Sequence, residues 1–273
     1  MPKGSDPFLP LLAEVAEVRD LTPDIKLLRL SLREGRIDYR PGQFAILSAF
    51  GVGEAPFTFA SLPEEGLEFA IRRMGTVTNA LHNLGPGDLV GIRGPYGNTF
   101  PLEDYEGKDI IIIGGGIGIA PLRPLIHWFI KHRGDYGSLL IIYGARTPRD
   151  FAFSDEFDAW AGAGGARLEL AIDPPGSPDW RGRVALVPAV VKELKPSPKN
   201  SIAITCGPPI MIHYVIEELR ALGFSPGQIV TTLEAKMKCG MGKCMRCNVG
   251  DKYVCKDGPV FTVDQISRLL EAF

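Results

Sequence analysis

Short apolar runs broken by turn residues fill the chain from Ala13 to about Pro101. Ile25–Leu30, Gln43–Leu47 and Leu67–Ile71 each mix apolar and polar positions over five or six residues, and glycine or proline separates one run from the next. Strands of this length with such punctuation are typical of an antiparallel barrel. The first hundred residues are therefore predicted to form an antiparallel, Greek-key β-barrel.

After Lys108 the pattern changes to mainly apolar strands that alternate with helices. A buried strand is predicted at Ile110–Ile113, followed by a glycine-rich turn and a helix at Pro121–His132. The same alternation predicts strands at Leu139–Tyr143, Leu168–Ala171 and Ser201–Thr205 and a helix at Ile210–Leu222. Strand, turn and helix in this order indicate an α/β domain with a parallel sheet.

Composition limits the number of domains and the class of function. A chain of 273 residues with 45% hydrophobic and 23% charged residues can bury two cores and carry a small appendage. A formal net charge of −2, without a basic stripe interleaved with aromatic residues, argues against nucleic-acid binding. No apolar run is long enough to span a bilayer. Three domains are predicted, at residues 1–104, 105–228 and 229–273.

Four of the five cysteines lie close together in the third domain. Cys239, Cys244, Cys247 and Cys255 have the spacing C-x4-C-x2-C-x7-C, and its first part is that of a plant-type [2Fe-2S] loop. Glycines between them let backbone N–H groups approach the sulfur atoms. A structural zinc site remains the alternative, although such a site usually has two separated pairs of closely spaced cysteines.

Disulfides are not expected, because the cysteine count is odd and Met1–Pro10 has neither a basic nor an apolar segment of a secretory signal. This indicates a reducing compartment, most simply the cytoplasm.

Two loops of the second domain have the chemistry of a nucleotide site. Gly114–Pro121 follows a buried strand and precedes a helix, which suits a pyrophosphate, but Ile119 stands at the third glycine position of the G-x-G-x-x-G pattern. The alternative interpretation, a tight turn that binds no ligand, therefore remains open. Cys206–Pro209 follows another strand and leads into a helix, at the edge where open α/β sheets bind ligands.

Gly116–Pro121 and Cys206–Pro209 together resemble the nicotinamide-binding domain of the ferredoxin-NADP reductase superfamily. The resemblance implies that the barrel carries FAD. The family's barrel motif, Arg-x-Tyr/Phe-Ser/Thr, is matched by Phe57 and Thr58, whereas Ala55 stands at the arginine position. Read without the family, Phe57 is a core or cross-strand aromatic residue and Thr58 is an ordinary strand residue.

The resemblance also implies a set of site residues. Thr58 would orient the reactive edge of the flavin, and Cys206 would border the reacting carbon of the nicotinamide. Arg72 or Arg73 is hypothesised to supply the missing positive charge. The FAD set is Pro56, Phe57, Thr58, Arg72, Arg73 and the Gly-x-x-Thr turn Gly75, Thr76, Val77 and Thr78. The NAD(P) set is Gly115, Gly116, Gly118, Ala120, Pro121, Arg146, Arg149, Gly207 and Pro208.

Arg146 and Arg149 follow the second strand of this domain, so they could bind a 2′-phosphate or remain solvated loop charges. Nucleotide preference therefore stays open between NAD and NADP.

The order of barrel, nucleotide domain and four cysteines resembles one group within the superfamily. This group contains electron-transfer subunits: the gamma subunit of cytoplasmic nickel-iron hydrogenases, the B subunit of anaerobic sulfite reductase and the dihydroorotate dehydrogenase subunit. The resemblance implies exchange of hydride between NAD(P)H and FAD and of single electrons through the cluster with a catalytic partner.

A hydrogenase that has an additional iron-sulfur subunit is the predicted partner. The alternatives are a subunit of a sulfite or sulfur reductase or of a dihydroorotate dehydrogenase, a redox-sensing subunit without NAD(P)H turnover, and a free-standing reductase that serves a soluble carrier.

Overall fold

The computed structural model describes residues 7–270, with side-chain burial up to residue 266. The strands are β1 Leu11–Thr22, β2 Ile25–Leu32, β3 Phe44–Ala49, β4 Gly53–Thr58, β5 Leu67–Arg72, β6 Leu89–Tyr96, β7 Asp109–Gly115, β8 Leu139–Ala145, β9 Ala166–Ile172, β10 Arg183–Val184, β11 Ser201–Cys206, β12 Ile229–Thr232, β13 Asn248–Val249, β14 Lys252–Tyr253 and β15 Val260–Thr262. The helices are α1 Thr76–His82, α2 Arg123–Lys131, α3 Phe157–Gly162, α4 Val187–Leu194, α5 Pro209–Ala221, α6 Val254–Asp257 and α7 Val263–Leu270.

Strands β1 to β6 form one antiparallel sheet in the order β4-β3-β6-β1-β2-β5. Because side chains alternate across a strand, Ala45 and Leu47 of β3 enter the barrel core while Phe44 and Ile46 lie on its other face. The insertion of β6 between β3 and β1 is a Greek-key connection. The predicted antiparallel barrel is confirmed.

A second sheet has the order β10-β9-β8-β7-β11-β12-β15. Along this order, each neighbouring pair of strands from β9 to β12 is parallel. Its centre is apolar on both faces, which explains the continuous isoleucine run of β7. The predicted parallel α/β sheet is confirmed. Helix α2 begins later than predicted, at Arg123, because Gly116–Ile119 first form a 3-10 turn.

The chain divides into two compact units. The first consists of Met1–Phe100 with Leu233–Val260, and the second of Pro101–Thr232 with Phe261–Phe273. The cysteine segment belongs to the barrel unit because Cys247, Val254 and Cys255 pack on Phe44 and Ile46 of β3. The three predicted domains thus contribute to two units. Within the described residues, no helix is long and apolar enough to cross a membrane.

Candidate functional site

Strand β4 carries the barrel motif and presents its residues on two opposite faces. Phe57 packs against the barrel core. Pro56 and Thr58 lie on the other face and are half-buried. Among the described residues, the Thr58 hydroxyl has no hydrogen-bond partner, so it is available to a ligand on that face.

The cysteine segment packs on this same face of the sheet. Directly paired residues of antiparallel strands share a face, and β4 pairs Thr58 with Phe44 and Pro56 with Ile46 of β3. Phe44 and Ile46 contact Cys247, Val254 and Cys255. The predicted flavin residues and the predicted cluster ligands therefore lie on one side of one sheet.

The turn before α1 is built by its own threonine. The Thr78 hydroxyl accepts the N–H groups of Met74 at 2.8 Å and Gly75 at 2.9 Å, and it donates to the Gly75 carbonyl. Thr78 therefore shapes the loop, and Gly75 and Thr76 form its exposed surface, with Val77 half-buried.

The two arginines before this turn differ in their surroundings. Arg72 Nε donates to Asp24 Oδ2 at 2.8 Å and is held by that ion pair. Arg73 is exposed, and its side chain makes no contact with a partner in the described part of the chain. Arg73 is thus the arginine that is available to a phosphate.

The four clustered cysteines form two pairs rather than one tetrahedral set. The Cys239 thiol has Cys244 as a hydrogen-bonding neighbour, and the Cys255 thiol has Cys247. In the described residues, no group of three or more ligating side chains converges on a single ion. Two thiol pairs suit a two-iron cluster, in which each iron binds two thiolates, better than one zinc ion.

Backbone N–H groups surround these sulfur atoms. Cys239 Sγ accepts from Met241 at 3.5 Å, from Lys243 at 3.3 Å and from Cys244 at 3.4 Å. Burial raises the pKa of the Cys239 thiol, but these N–H donors outweigh burial and lower the pKa to about 7. Cys255 Sγ accepts from Gly242 at 3.0 Å, yet burial and its neighbour Cys247 raise its pKa to about 12.

One edge of the cysteine segment is open to solvent. Cys239, Cys247 and Cys255 are buried, whereas all four residues from Lys243 to Arg246, including Cys244, are exposed. Residues 233–260 contain six basic and three acidic residues, in a chain whose net charge is −2. The exposed edge is therefore locally positive.

The predicted nucleotide residues meet at the carboxyl edge of three neighbouring strands. Gly114 of β7 pairs with Tyr143 of β8 and with Cys206 of β11. A Cβ added to Gly118 would lie 2.5 to 2.6 Å from the backbone of Cys206 and Gly207, so only glycine allows this approach. Gly115 to Pro121 and Cys206 to Pro208 thus form one surface.

The Cys206 side chain is fixed by a residue that the sequence analysis did not identify. Thr232 Oγ1 donates to Cys206 Sγ at 3.0 Å, and both residues are buried. Thr232 ends β12, a short strand that lies next to β11. Recognising Ile229–Thr232 as a parallel neighbour of β11 would have revealed the pair.

Arg146 and Arg149 follow β8 at the same edge of the sheet and are exposed. Arg146 lies close enough to Asp173 to interact electrostatically with it. Burial raises the pKa of Asp173, and Arg146 opposes this effect. The loop can therefore present positive charge to a ligand at this edge.

Three family descriptions match successive parts of the chain. Residues 12–100 match "Oxidoreductase FAD-binding domain", residues 112–217 match "Oxidoreductase NAD-binding domain", and residues 234–267 match "Iron-sulfur cluster binding domain of dihydroorotate dehydrogenase B". The chain thus has domains for FAD, a nicotinamide nucleotide and an iron-sulfur cluster.

Curated relatives align with nearly the whole chain. The "Sulfhydrogenase 2 subunit gamma" of Pyrococcus furiosus is 38% identical, with 94% of this chain and 96% of the relative covered. A probable dihydroorotate dehydrogenase B electron transfer subunit of Methanocaldococcus jannaschii is 35% identical, with 96% and 93% covered. A solved NADH-dependent reduced ferredoxin-NADP oxidoreductase shares the fold, with a TM-score of 0.75, 24% identity and coverage of 99% and 95%.

Proposed function

The chain belongs to the family of electron-transfer subunits that includes sulfhydrogenase gamma and dihydroorotate dehydrogenase B subunits, and on this premise we propose that it exchanges electrons between NAD(P)(H) and a catalytic partner. It is an NAD(P)H-dependent flavin oxidoreductase subunit with FAD and an iron-sulfur cluster as cofactors.

One observation carries the proposal. Pro56 and Thr58 share a face of the barrel sheet with Phe44 and Ile46, and the cysteine segment packs on those two residues. Residues that suit a flavin and residues that suit a cluster are therefore parts of one folded unit. Such an arrangement fits a protein that passes electrons from one cofactor to the other.

The side chains have distinct parts in this function. FAD, when bound, accepts two electrons from a nicotinamide as hydride and releases them singly, and the cluster carries one electron at a time. Thr58 offers its hydroxyl to the flavin, Arg73 offers charge to its phosphates, and Cys206, held by Thr232, borders the nicotinamide site. Cys239, Cys244, Cys247 and Cys255 would hold the cluster.

The first test is an anaerobic titration of the purified chain with NADH and then NADPH. We expect about one FAD and about two irons with sulfide per chain, and both chromophores should bleach. A chain that contains zinc without sulfide, or a flavin that stays oxidised with both nucleotides, contradicts the proposal. The second result would instead indicate a redox-sensing subunit.

Arg146 and Arg149 are proposed to bind the 2′-phosphate of NADPH. Replacing both by alanine should raise the KM for NADPH about tenfold or more, because charge-assisted hydrogen bonds contribute about 1.5–3 kcal/mol. The KM for NADH should change less than twofold. Equal effects on the two nucleotides, measured by flavin reduction kinetics, would show that the arginines do not select the phosphate.

We propose that the partner is a nickel-iron hydrogenase and that the complex works in the cytoplasm, where thiol ligands stay reduced. The exposed run from Lys243 to Arg246 is the proposed contact with the partner, and its positive charge fits an acidic partner surface. Relatives of both the sulfhydrogenase and the dihydroorotate dehydrogenase type exceed 30% identity, so a dihydroorotate dehydrogenase is the alternative partner.

The partner is identified by purifying the tagged chain from its own host. The complex should reduce NAD(P) with H2 and not with dihydroorotate. A complex that reduces NAD(P) with dihydroorotate and not with H2 would assign the alternative partner. A chain that is purified without partners and reduces a soluble carrier would be a free-standing reductase. Lys243→Glu with Arg246→Glu should weaken the complex, whereas Lys195→Glu, on the other unit, should not.

A further inference from the structure

Arg93 is a buried charged residue that none of the predicted sites uses. It lies in β6, where it pairs with Ile46 of β3, and its side chain is only 3% exposed. A buried guanidinium is costly unless its charge and its donors have partners. The identity of those partners indicates what the residue does.

The guanidinium reaches three separate segments of the first unit. Nη2 donates to both carboxylate oxygens of Glu54 at 2.8 and 2.9 Å. Nη1 donates to Tyr96 Oη at 3.2 Å. The same nitrogens also reach the backbone carbonyls of Cys239 and Lys238, each at 3.4 Å.

These contacts join the flavin strand to the cluster loop. Glu54 lies on β4, two residues before Pro56 and on the same face as Pro56 and Thr58. Lys238 and Cys239 begin the cysteine segment. One side chain therefore holds both predicted cofactor-binding segments.

The ring of Tyr96 packs against the same loop. Gly240 has φ +77°, and a Cβ on it would lie 2.7 Å from the Tyr96 ring and 3.1 Å from Ile46. The loop therefore lies directly on β3 and β6. With Arg93 on the carbonyls and Tyr96 under Gly240, the backbone is held where its N–H groups point at Cys239 Sγ.

We propose that Arg93 is a positioning residue that fixes the Cys239 loop and that its charge, balanced by Glu54, sets the reduction potential of the cluster. One-electron reduction adds a negative charge to the cluster. A nearby positive charge favours that change, and a nearby carboxylate opposes it. This inference rests on the proposed function, because it requires that the four cysteines hold a cluster.

Removing the charge of Arg93 and removing that of Glu54 should have opposite effects on the cluster. Arg93→Met should lower the equilibrium constant for one-electron reduction about tenfold, which corresponds to a potential about 59 mV more negative. Glu54→Gln removes the balancing carboxylate and should shift the constant in the other direction. A purely structural ion pair predicts no such difference in sign.

Arg93→Lys separates charge from geometry. Lysine keeps the charge but cannot contact Glu54, Tyr96 and two carbonyls at once. The equilibrium constant should stay within about twofold of that of the parent chain, while a chelator should remove iron several times faster. Arg33→Met, which breaks an exposed pair with Glu14 on the barrel surface, is the matched control and should change neither quantity.

The experiment is a dithionite titration of each cluster-loaded chain, followed by the electron paramagnetic resonance signal of the reduced cluster, with chelation rates measured in parallel. If Arg93→Met does not fold, Glu54→Gln and Arg93→Lys still decide the question. Unchanged constants, or shifts of the same sign, in chains that contain iron and sulfide overturn this inference alone. A parent chain without iron and sulfide overturns the proposed function and this inference with it.

Discussion

At the scale of single residues, neighbouring side chains of the same type have different roles because their partners differ. Arg72 and Arg73 are adjacent, yet within the described part of the chain only Arg72 forms an ion pair, with Asp24. The sequence could not separate them, because Asp24 is distant along the chain. The β2–β5 pairing, which matches Ile25 with Arg72, brings the two together.

Arg73→Ala is expected to weaken FAD binding about tenfold or more, because a charge-assisted contact to phosphate contributes about 1.5–3 kcal/mol. Arg72→Ala should leave FAD affinity nearly unchanged and lower stability by about 0.2–1 kcal/mol, since its partly exposed ion pair is screened by solvent. Titration of the cofactor-free chain with FAD measures both affinities. Equal weakening by the two substitutions would reject the assignment to Arg73.

Thr232 provides a second test at this scale. Thr232→Val removes the hydroxyl that donates to Cys206 Sγ and should lower the free energy of unfolding of the second unit by about 1 kcal/mol. Thr232→Val should also slow the reduction of the flavin by NAD(P)H. Thr232→Ser keeps the hydroxyl, so its rate of flavin reduction should stay close to that of the parent chain. All three tryptophans, Trp128, Trp160 and Trp180, lie in this unit, so urea unfolding followed by their fluorescence reports on it directly. Slow reduction in both variants would exclude a role for the hydroxyl.

At the scale of elements, a buried ionic group joins α2 to the start of α3. Glu156, just before α3, binds Arg123 and His127 of α2 at 2.7 and 2.8 Å. Burial would raise the pKa of Glu156, but hydrogen bonds from His127 and Arg123 outweigh it and lower the pKa from 4.5 to about 2. The helix that follows the glycine turn is thereby fixed to the rest of the unit.

This shift predicts how stability depends on pH. A carboxyl whose pKa is lowered by folding stabilises the fold fully above pH 4.5, and this stabilisation is lost as the pH falls toward 2. The shift corresponds to about 3 kcal/mol. Glu156→Gln should be less stable than the parent at pH 7, and the two should converge as the pH approaches 2. Tryptophan fluorescence during urea unfolding at both pH values measures this.

The control for that experiment is Glu193→Gln, which alters the ion pair of an exposed carboxylate with Arg183 in the same unit. It should leave the pH dependence unchanged. A Glu156→Gln variant that shows the same loss of stability between pH 7 and pH 2 as the parent would mean that other carboxyl groups dominate the acid sensitivity.

The sequence predicted elements well where the pattern was continuous. Strands β7, β8 and β11 were expected within two residues of their observed ends, because a central parallel strand is apolar on both faces. The extent of strand β4 was not predicted, although Thr58 was expected to be a strand residue, since Gly53–Thr58 has no regular alternation and includes a proline. Strands β12 and β15 are only four and three residues long, and a pattern over so few residues does not identify a strand.

The site was predicted in the same uneven way. Cysteine spacing and glycine turns are local, so their ligand chemistry could be read from the sequence. The Arg93 network and the Thr232 to Cys206 contact depend on strand register and on residues distant in the sequence. For the Arg93 network, the one local sign in the sequence was a charged residue within the apolar run of β6.

At the scale of the whole molecule, the chain passes between the two units three times. It leaves the first unit after Phe100, returns at Leu233 and leaves again after Val260. The last segment completes the second unit, where Val263 and Ile266 are fully buried. The cysteine segment is thus inserted between two parts of the second unit.

Ile266→Ala should therefore destabilise the second unit by about 3 kcal/mol, because it leaves a cavity in a packed interior. Iron and sulfide content should not change, since the cysteines belong to the first unit. The exposed residue Ile210, replaced by alanine, is the matched control and should have little effect on stability. Loss of the cluster together with full stability of the second unit would contradict the division into units.

The neighbouring positions of β12 and β15 have a consequence for chain entropy. These two strands are adjacent in the second sheet, and the Leu233 N–H donates to the Pro259 carbonyl at 2.9 Å, so the two ends of the cysteine segment are held together. The entropic cost of closing such a loop grows only slowly with its length. We therefore expect a few residues inserted at its exposed turn, between Gly250 and Asp251, to change the stability of the second unit by less than about 1 kcal/mol.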